Sequence, residues 1–135
     1  MQVKAWVAAT LAVMILVSPV QAGTYRIPPE KLDGQKVYWG NAADFSKPGE
    51  VNYEAVIKAT PEYAELIKKK IERGTAKFYY LISQASDHAV RVIVEVGQQS
   101  DYDLVVAKGY LASLETPIEA DDLTDAVLAH LKSQK

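Results

Sequence analysis

The fold is decided by residues 60–96, TPEYAELIKKKIERGTAKFYYLISQASDHAVRVIVEV, in which apolar positions recur at spacings of three and four. This spacing places the apolar side chains on one stripe of an α-helix and is typical of a coiled-coil-like seam. Thr60 and Pro61 indicate a helix start, since threonine caps free N–H groups and proline lacks the N–H that a first turn leaves unpaired. The seam comprises Tyr63, Ile67, Ile71, Gly74, Phe78, Leu81, Ala85, Ala89 (or His88), Val92 and Val96.

The length of this helical segment is open to three interpretations. Residues 78–82 and 90–96 are rich in side chains that prefer strands, so a β-hairpin turning within residues 83–88 is one alternative. A helical hairpin turning at Gly74-Thr75 or within residues 83–87 is another. We favour one continuous helix from Pro61 to Val96, because the spacing stays in phase through Gly74. Such a helix spans about 54 Å and would hold the flanking strands at opposite ends.

The segments on either side are predicted to be short strands and a final helix. Residues 51–57, 102–107 and 111–117 have the composition of short strands, the last with a turn. Residues 121–131 carry acidic side chains in the first turn and an apolar face, which is typical of an amphipathic helix. The predicted class is therefore α+β, in which short strands pack with a long coiled-coil-like helical segment and a C-terminal amphipathic helix.

The N-terminus has the pattern of a cleavable export signal. Lys4 precedes an apolar run over residues 5–17, and Val20-Gln21-Ala22 is a small-residue cleavage pattern. The run of about 13 residues is shorter than the about 20 residues of a membrane-spanning helix. We therefore expect cleavage after Ala22, a periplasmic location and no stable membrane anchor.

The composition of the mature chain excludes several classes of protein. Loss of Lys4 leaves 14 of the 15 basic side chains against 17 acidic ones, and a nucleic-acid partner would require a basic face. The chain has no cysteine, which excludes disulfides, thiolate metal sites and an acylated lipoprotein anchor. Residues 23–50 hold three prolines and four glycines, so we expect an extended lead-in that wraps or tethers, followed by one domain over residues 51–135.

Three short motifs in this domain follow one another in an informative order. Val51-Asn52-Tyr53 precedes the Thr60-Pro61-Glu62 step, Tyr102-Asp103-Leu104-Val105-Val106 follows the helical segment, and Asp122-Leu123-Thr124-Asp125 opens the last helix. In this order and spacing they resemble the OmpH/Skp family of periplasmic chaperones. The resemblance implies a trimer that holds unfolded outer-membrane proteins between basic arms. This chain differs from the family in having only about 40 residues between Pro61 and Tyr102, in its mildly acidic charge, and in its lead-in.

The candidate functional residues are apolar and aromatic side chains of the helical segment. Consecutive helical residues point about 100° apart, so the cluster at residues 78–80 cannot face one seam, and at least one tyrosine is expected at the surface. Residues 68–70, three lysines, are interpreted as a solvated face. The expected contacts with other subunits or with clients are made by Ile67, Ile71, Phe78, Tyr79, Tyr80, Leu81 and Val92.

Catalytic and metal-binding patterns are missing from the sequence. His88 and His130 are about forty residues apart, whereas zinc ligands occur at close spacing. The acidic residues fit no calcium loop, and there is no phosphate-binding glycine loop or nucleophile elbow. We therefore expect no enzyme, cofactor or metal.

The expected function is that of an exported OmpH/Skp-like holdase, or a degenerate relative, acting without nucleotide as a homo-oligomer. The alternative is a structural or adaptor protein of the envelope that binds one fixed partner. A small hydrolase or ligand-binding domain is a third interpretation.

Overall fold

Four short strands form one mixed sheet in the computed structural model, which describes residues 24–134. The order across the sheet is β1-β3-β2-β4, in which β3 pairs antiparallel with β1 and parallel with β2, and β2 pairs parallel with β4. The strands are β1 (Val37–Gly40), β2 (Pro48–Val51), β3 (Leu104–Ala107) and β4 (Asp121–Asp122). The helices are α1 (Tyr53–Lys58), α2 (Pro61–Lys68), α3 (Ala76–Gln99) and α4 (Thr124–Ser133), with 3-10 turns at Pro29–Lys31, Gly34–Lys36 and Leu111–Ser113. The predicted α+β class is confirmed.

Strand β3 separates two apolar cores. Successive side chains of a strand point to opposite faces, and Val105 joins one core while Leu104 and Val106 join the other. The first core lies between the sheet and the helices and contains Val51, Val56, Ala89, Val92, Ile93, Val105, Leu123, Val127 and Leu131. The second contains Ile27, Phe45, Leu104, Val106, Tyr110 and Leu111. The near-continuous apolar sequence of β3 follows from burial on both faces.

The segment before residue 51 is built into the sheet. It supplies β1 and β2, and its Ile27 and Phe45 are buried in the second core. Tyr25 and Phe45 exchange two backbone hydrogen bonds, with N···O distances of 2.6 and 3.0 Å. The expected extended lead-in therefore covers one sheet face and contributes two of the four strands.

The prediction of one continuous helix over residues 61–96 is wrong. Helix α2 ends at Lys68 and α3 begins at Ala76, and the connection contains two residues with positive φ, Lys70 at 51° and Gly74 at 88°. The chain reverses there, close to Gly74-Thr75, the position given for a helical hairpin. Consequently β2 and β3 are neighbours, with Pro48 paired to Leu104, and do not lie at opposite ends of a long helix.

Other local predictions are resolved by the described elements. The strand-prone residues 78–82 and 90–96 both lie within α3, so the preference for helix over a β-hairpin is confirmed. Residues 51–57 were predicted as a strand, but Asn52 caps α1 by accepting a hydrogen bond from the Ala55 N–H at 3.2 Å. Residues 111–117 contain a 3-10 turn in place of a strand. Strand β3 confirms the strand predicted within residues 102–107, and α4 confirms the helix predicted at residues 121–131 from Thr124 onward. Asp121 and Asp122, predicted in the first turn of that helix, form strand β4 and pair with β2.

The predicted signal at residues 1–22 lies outside the described residues. Within residues 24–134, none of the helices has the length and apolar character needed to cross a membrane.

Candidate functional site

The candidate site is a groove between α2 and α3, at the end of the hairpin where the chain reverses. Its volume is about 240 Å³. The lining is apolar except for two cations, and it consists of Tyr63, Leu66, Ile67, Lys70, Ile71, Arg73, Phe78 and Ile82. Residues from both helices and from the connection therefore meet at one place. For brevity we call this surface the hairpin groove.

The connection fixes the shape of the hairpin groove through a Schellman motif at the end of α2. The Lys70 N–H donates to the Ile67 carbonyl and the Ile71 N–H donates to the Leu66 carbonyl, both at 3.1 Å. This motif requires a left-handed residue, usually glycine, and here the residue is Lys70. Thr75 then caps α3 by accepting from the Phe78 N–H at 3.2 Å. These contacts fix the backbone on either side of Ile71 and Phe78, which both line the groove.

Farther from the connection, the two helices are joined by packing and by one polar contact. Leu81 of α3 is buried, and α3 also presents the small, fully buried Ala85. His88 Nδ1 lies 3.1 and 2.9 Å from the two carboxylate oxygens of Glu62. The hairpin is thus tied together away from the groove, while the groove itself stays open.

Cations are concentrated around the hairpin groove. Residues 62–77 hold five basic and three acidic side chains, whereas residues 78–134 hold three basic and nine acidic ones. Lys69 Nζ lies 2.7 Å from Glu65 Oε1, and this hydrogen bond is the main cause that lowers the pKa of Glu65. Within residues 24–134, ion pairs are absent for the other four cations, which are Lys68, Lys70, Arg73 and Lys77.

The structure divides the predicted contact residues into three groups. Ile67, Ile71 and Phe78 line the hairpin groove, and Ile67 is 57% exposed. Tyr79 and Tyr80 are each 63% exposed on α3 and lie outside the groove lining.

The remaining two predicted contact residues are not at the surface. Leu81 is buried, and Val92 is fully buried in the core between the helices and the sheet. The seam spacing did not distinguish them from the exposed positions, because a stripe that packs within one chain and a stripe that packs between chains have the same period. These two side chains are covered within the chain itself.

Sequence reasoning missed the polar part of the site. Lys70 and Arg73 line the groove, although residues 68–70 were interpreted as a solvated face. No local signal marks Lys70, since its role depends on the helix ending at Lys68. Ile82 was also missed, but its position four residues after Phe78 on the same helix face could have indicated it.

A second cleft, of about 350 Å³, lies between residues 24–31 and residues 114–118. Its lining contains two basic side chains, Arg26 and Lys31, and two acidic ones, Glu30 and Glu115. Lys31 Nζ is 3.9 Å from Glu115 Oε1. This cleft therefore favours no ligand of a particular charge.

The two histidines serve as links between helices. His88 joins α3 to Glu62 of α2, and His130 Nε2 of α4 lies 2.9 Å from Glu95 Oε2 of α3. Among residues 24–134, groups of three or more side chains arranged to hold a metal ion are absent. Each histidine therefore joins two helices through a hydrogen bond to a glutamate.

Comparison of the chain with models of protein families, with curated proteins and with solved structures finds no match in any of the three. The OmpH/Skp resemblance thus depends on the short sequence motifs alone.

Proposed function

We propose that the protein is an exported, non-enzymatic binding protein that shields short apolar segments of other polypeptides in the hairpin groove. The proposed activity is that of an OmpH/Skp-like holdase in the periplasm, with unfolded outer-membrane proteins as clients. One observation carries the proposal: an open apolar groove, with Ile67 more than half exposed at its edge, faces solvent at the end of the hairpin. A concave apolar surface that opens to solvent can bury apolar side chains of another polypeptide.

The proposed mechanism is reversible burial of a few client side chains, without nucleotide. Helix α2 has eight residues and is about 12 Å long, so the hairpin forms no long arm. In the proposed mechanism, a groove on each subunit takes the place of the cavity between arms that the OmpH/Skp resemblance implies. Because the groove is small, at about 240 Å³, each contact buries little area, which favours rapid release of the client.

Self-association is part of the proposal. Tyr79 and Tyr80 expose aromatic surface outside the groove, and tyrosine is enriched in protein–protein interfaces. A homo-oligomer that uses these tyrosines would present several grooves to one client and so raise the effective affinity. The resemblance favours a trimer.

A second candidate, an envelope adaptor with one fixed partner, is favoured by the size of the groove. Pockets for small-molecule ligands are typically about 300–1,000 Å³, and the hairpin groove, at about 240 Å³, is smaller. It suits a few side chains of one peptide segment, which a dedicated partner could supply.

The test is suppression of aggregation of several unrelated unfolded outer-membrane proteins by purified mature protein. Wild type should protect several clients, and Ile67→Asp should protect none, because a carboxylate in the groove opposes burial of apolar groups. The matched control is Leu32→Asp, since Leu32 is 48% exposed and lies outside the groove. Protection of a single client would favour the adaptor. Protection of none by wild type, or full protection by Ile67→Asp, would contradict the proposal.

A further inference from the structure

The charge around the hairpin groove identifies the class of segment that it binds. We propose that the protein selects polypeptide segments that carry acidic side chains beside their apolar residues. This inference rests on the proposed function, because it describes the occupant of the same groove. Its evidence is independent of the apolar lining and comes from the positions of the cations.

The charge distribution favours an acidic occupant at this end of the molecule. Lys70 and Arg73 line the groove, and Lys68 and Lys77 flank it in sequence, all without ion pairs within the described residues. The chain as a whole has a formal net charge of −2, and residues 78–134 are strongly acidic. An acidic segment is therefore repelled by the part of the surface formed by residues 78–134 and attracted to the groove.

Lys70 occupies a backbone position that costs stability. Its φ of 51° is left-handed, a conformation that glycine adopts without strain and that other residues adopt at a cost. Glycine is the usual residue at this position of a Schellman motif. A lysine here places a cation on the groove at the expense of folding, and such local strain is typical of functional sites.

Lys77 is a second cation in an unfavourable place. It lies in the first turn of α3, where the helix dipole favours acidic side chains, and that turn contains no acidic residue. Lys77 thus carries positive charge against the preference of the helix dipole, and an anionic occupant would offset this cost when it binds.

The shape of the site favours a polypeptide over an anionic lipid surface. The groove is a concave space between two helices, suited to side chains that project from a peptide. The exposed aromatic residues do not form one flat face, because Tyr79 and Tyr80 are consecutive and point about 100° apart on α3. A flat membrane surface could not contact the groove and both tyrosines together.

The experiment uses three labelled peptides that share one apolar core of leucine and phenylalanine and are flanked by glutamate, glutamine or lysine. Their affinities for the full mature protein are measured by fluorescence anisotropy at low and at high salt. The glutamate-flanked peptide should bind at least about threefold more tightly than the glutamine-flanked one at low salt, and this difference should shrink as salt screens the charges. The lysine-flanked peptide should bind most weakly.

Variants assign the effect to particular residues. Lys70→Gly and Lys77→Gln should each weaken binding of the glutamate-flanked peptide about two- to fivefold, and more than they weaken binding of the glutamine-flanked peptide. The control is Lys132→Gln, which removes an exposed lysine of α4 far from the groove in sequence. Equal affinity for the glutamate- and glutamine-flanked peptides would overturn the charge selection and leave the groove function standing. Binding of none of the peptides would overturn the groove function itself.

A fourth measurement separates peptide from lipid. Vesicles of anionic phospholipid are added to the complex with the glutamate-flanked peptide. The peptide should remain bound and the protein should not sediment with the vesicles. Displacement of the peptide by vesicles, abolished in Lys70→Gly, would overturn the proposal in favour of a lipid surface.

Discussion

The indole ring of Trp39 packs directly on the backbone of Gly97. A Cβ atom built on Gly97 would lie 2.7 Å from Trp39 Cε3 and 2.9 Å from Cδ2, well inside normal contact distance. Trp39 belongs to the edge strand β1 and Gly97 to the last turns of α3. The absence of a side chain at this helix position therefore lets the longest helix lie against the edge of the sheet.

Gly97→Ala should destabilise the protein although alanine is the better helix former. The substitution gains about 1 kcal/mol of helix propensity, but overpacking against a ring typically costs about 1–3 kcal/mol. We expect a net loss of up to about 2 kcal/mol in the free energy of unfolding, measured by urea denaturation. Gly34→Ala is the control, because no atom lies within 4 Å of the position of a Cβ there. A gain in stability in Gly97→Ala would contradict this packing.

Asp122 should make the stability of the protein depend on acidic pH. Its Oδ1 accepts hydrogen bonds from the Thr124 N–H and hydroxyl at 2.9 and 2.5 Å, and Oδ2 accepts one from Lys108 at 3.0 Å. The hydroxyl of Thr124 is the largest cause that lowers the pKa of Asp122 to about 2. A lowered pKa in the folded state stabilises the protein above the ordinary value of 3.8, and the effect is lost as pH falls toward 2.

The measurement is the free energy of unfolding of wild type and Asp122→Asn between pH 6 and pH 2. The difference between the two should be present at pH 6 and should vanish near pH 2. At neutral pH we expect a loss of only about 0.5 kcal/mol, since the Asp122 side chain is 46% exposed and solvent screens its contacts. Asp44→Asn, at an exposed position, serves as control. A difference that does not change with pH would contradict the assignment.

The sequence predicted the class of fold and the apolar faces of α2 and α3, but it did not locate the reversal of the chain between these helices. The three-four spacing runs through Gly74 because α2 and α3 each bury an apolar stripe, and the hairpin aligns the two stripes. Gly74-Thr75 carried the local signal, a flexible residue followed by a helix cap. The three-four spacing nevertheless favoured one continuous helix. The spacing identifies the apolar face of each helix, but it carries no information about the angle between successive helices.

The strands before residue 51 were harder to predict for a different physical reason. Strand β2 begins at Pro48 and contains Gly49, two residues that disfavour strands when judged locally. Long-range pairing overrides this preference, since β2 lies between β3 and β4 and is largely buried. For the site, the sequence supplied Ile67, Ile71 and Phe78, but the cation at position 70 depends on a turn that only the fold defines.

Lys70→Gly should raise the free energy of unfolding. Glycine adopts the left-handed conformation of this position without the clash of a Cβ, although it has a larger entropy to lose on folding. We expect a gain of about 0.5–1 kcal/mol by urea denaturation. Lys68→Gly is the matched control and should destabilise by up to about 1 kcal/mol, because Lys68 is the last helical residue of α2. A loss of stability in Lys70→Gly would show that its side chain stabilises the turn.

Export should yield a mature protein that starts at Gly23. The prediction follows from the Val20-Gln21-Ala22 pattern behind a short apolar run. The mass of the protein recovered from the periplasmic fraction, together with N-terminal sequencing, checks the site. Changing Ala22 to a bulky residue such as Leu should slow processing and leave the precursor. An envelope protein that retains residues 1–22 would contradict the prediction.

The last prediction distinguishes self-association from folding by substitutions at two neighbouring residues of α3, Tyr80 and Leu81. Leu81 is buried, so Leu81→Asp places an unpaired charge in the interior and should cost at least about 3 kcal/mol. We expect this variant to unfold. Tyr80 precedes it but is 63% exposed and is not part of the groove lining, so Tyr80→Asp should keep the stability of the wild type.

Sedimentation at micromolar concentration then reports the oligomer. Wild type should sediment as an oligomer, with a trimer as the favoured size, and Tyr80→Asp should sediment as a folded monomer, because a carboxylate on each subunit opposes an aromatic contact between them. Ser83→Asp, at another exposed position of the same helix, is the control for added charge. A wild type that is a compact monomer would remove the oligomer from the mechanism. A folded Leu81→Asp variant would contradict the packing of α2 on α3 that shapes the groove.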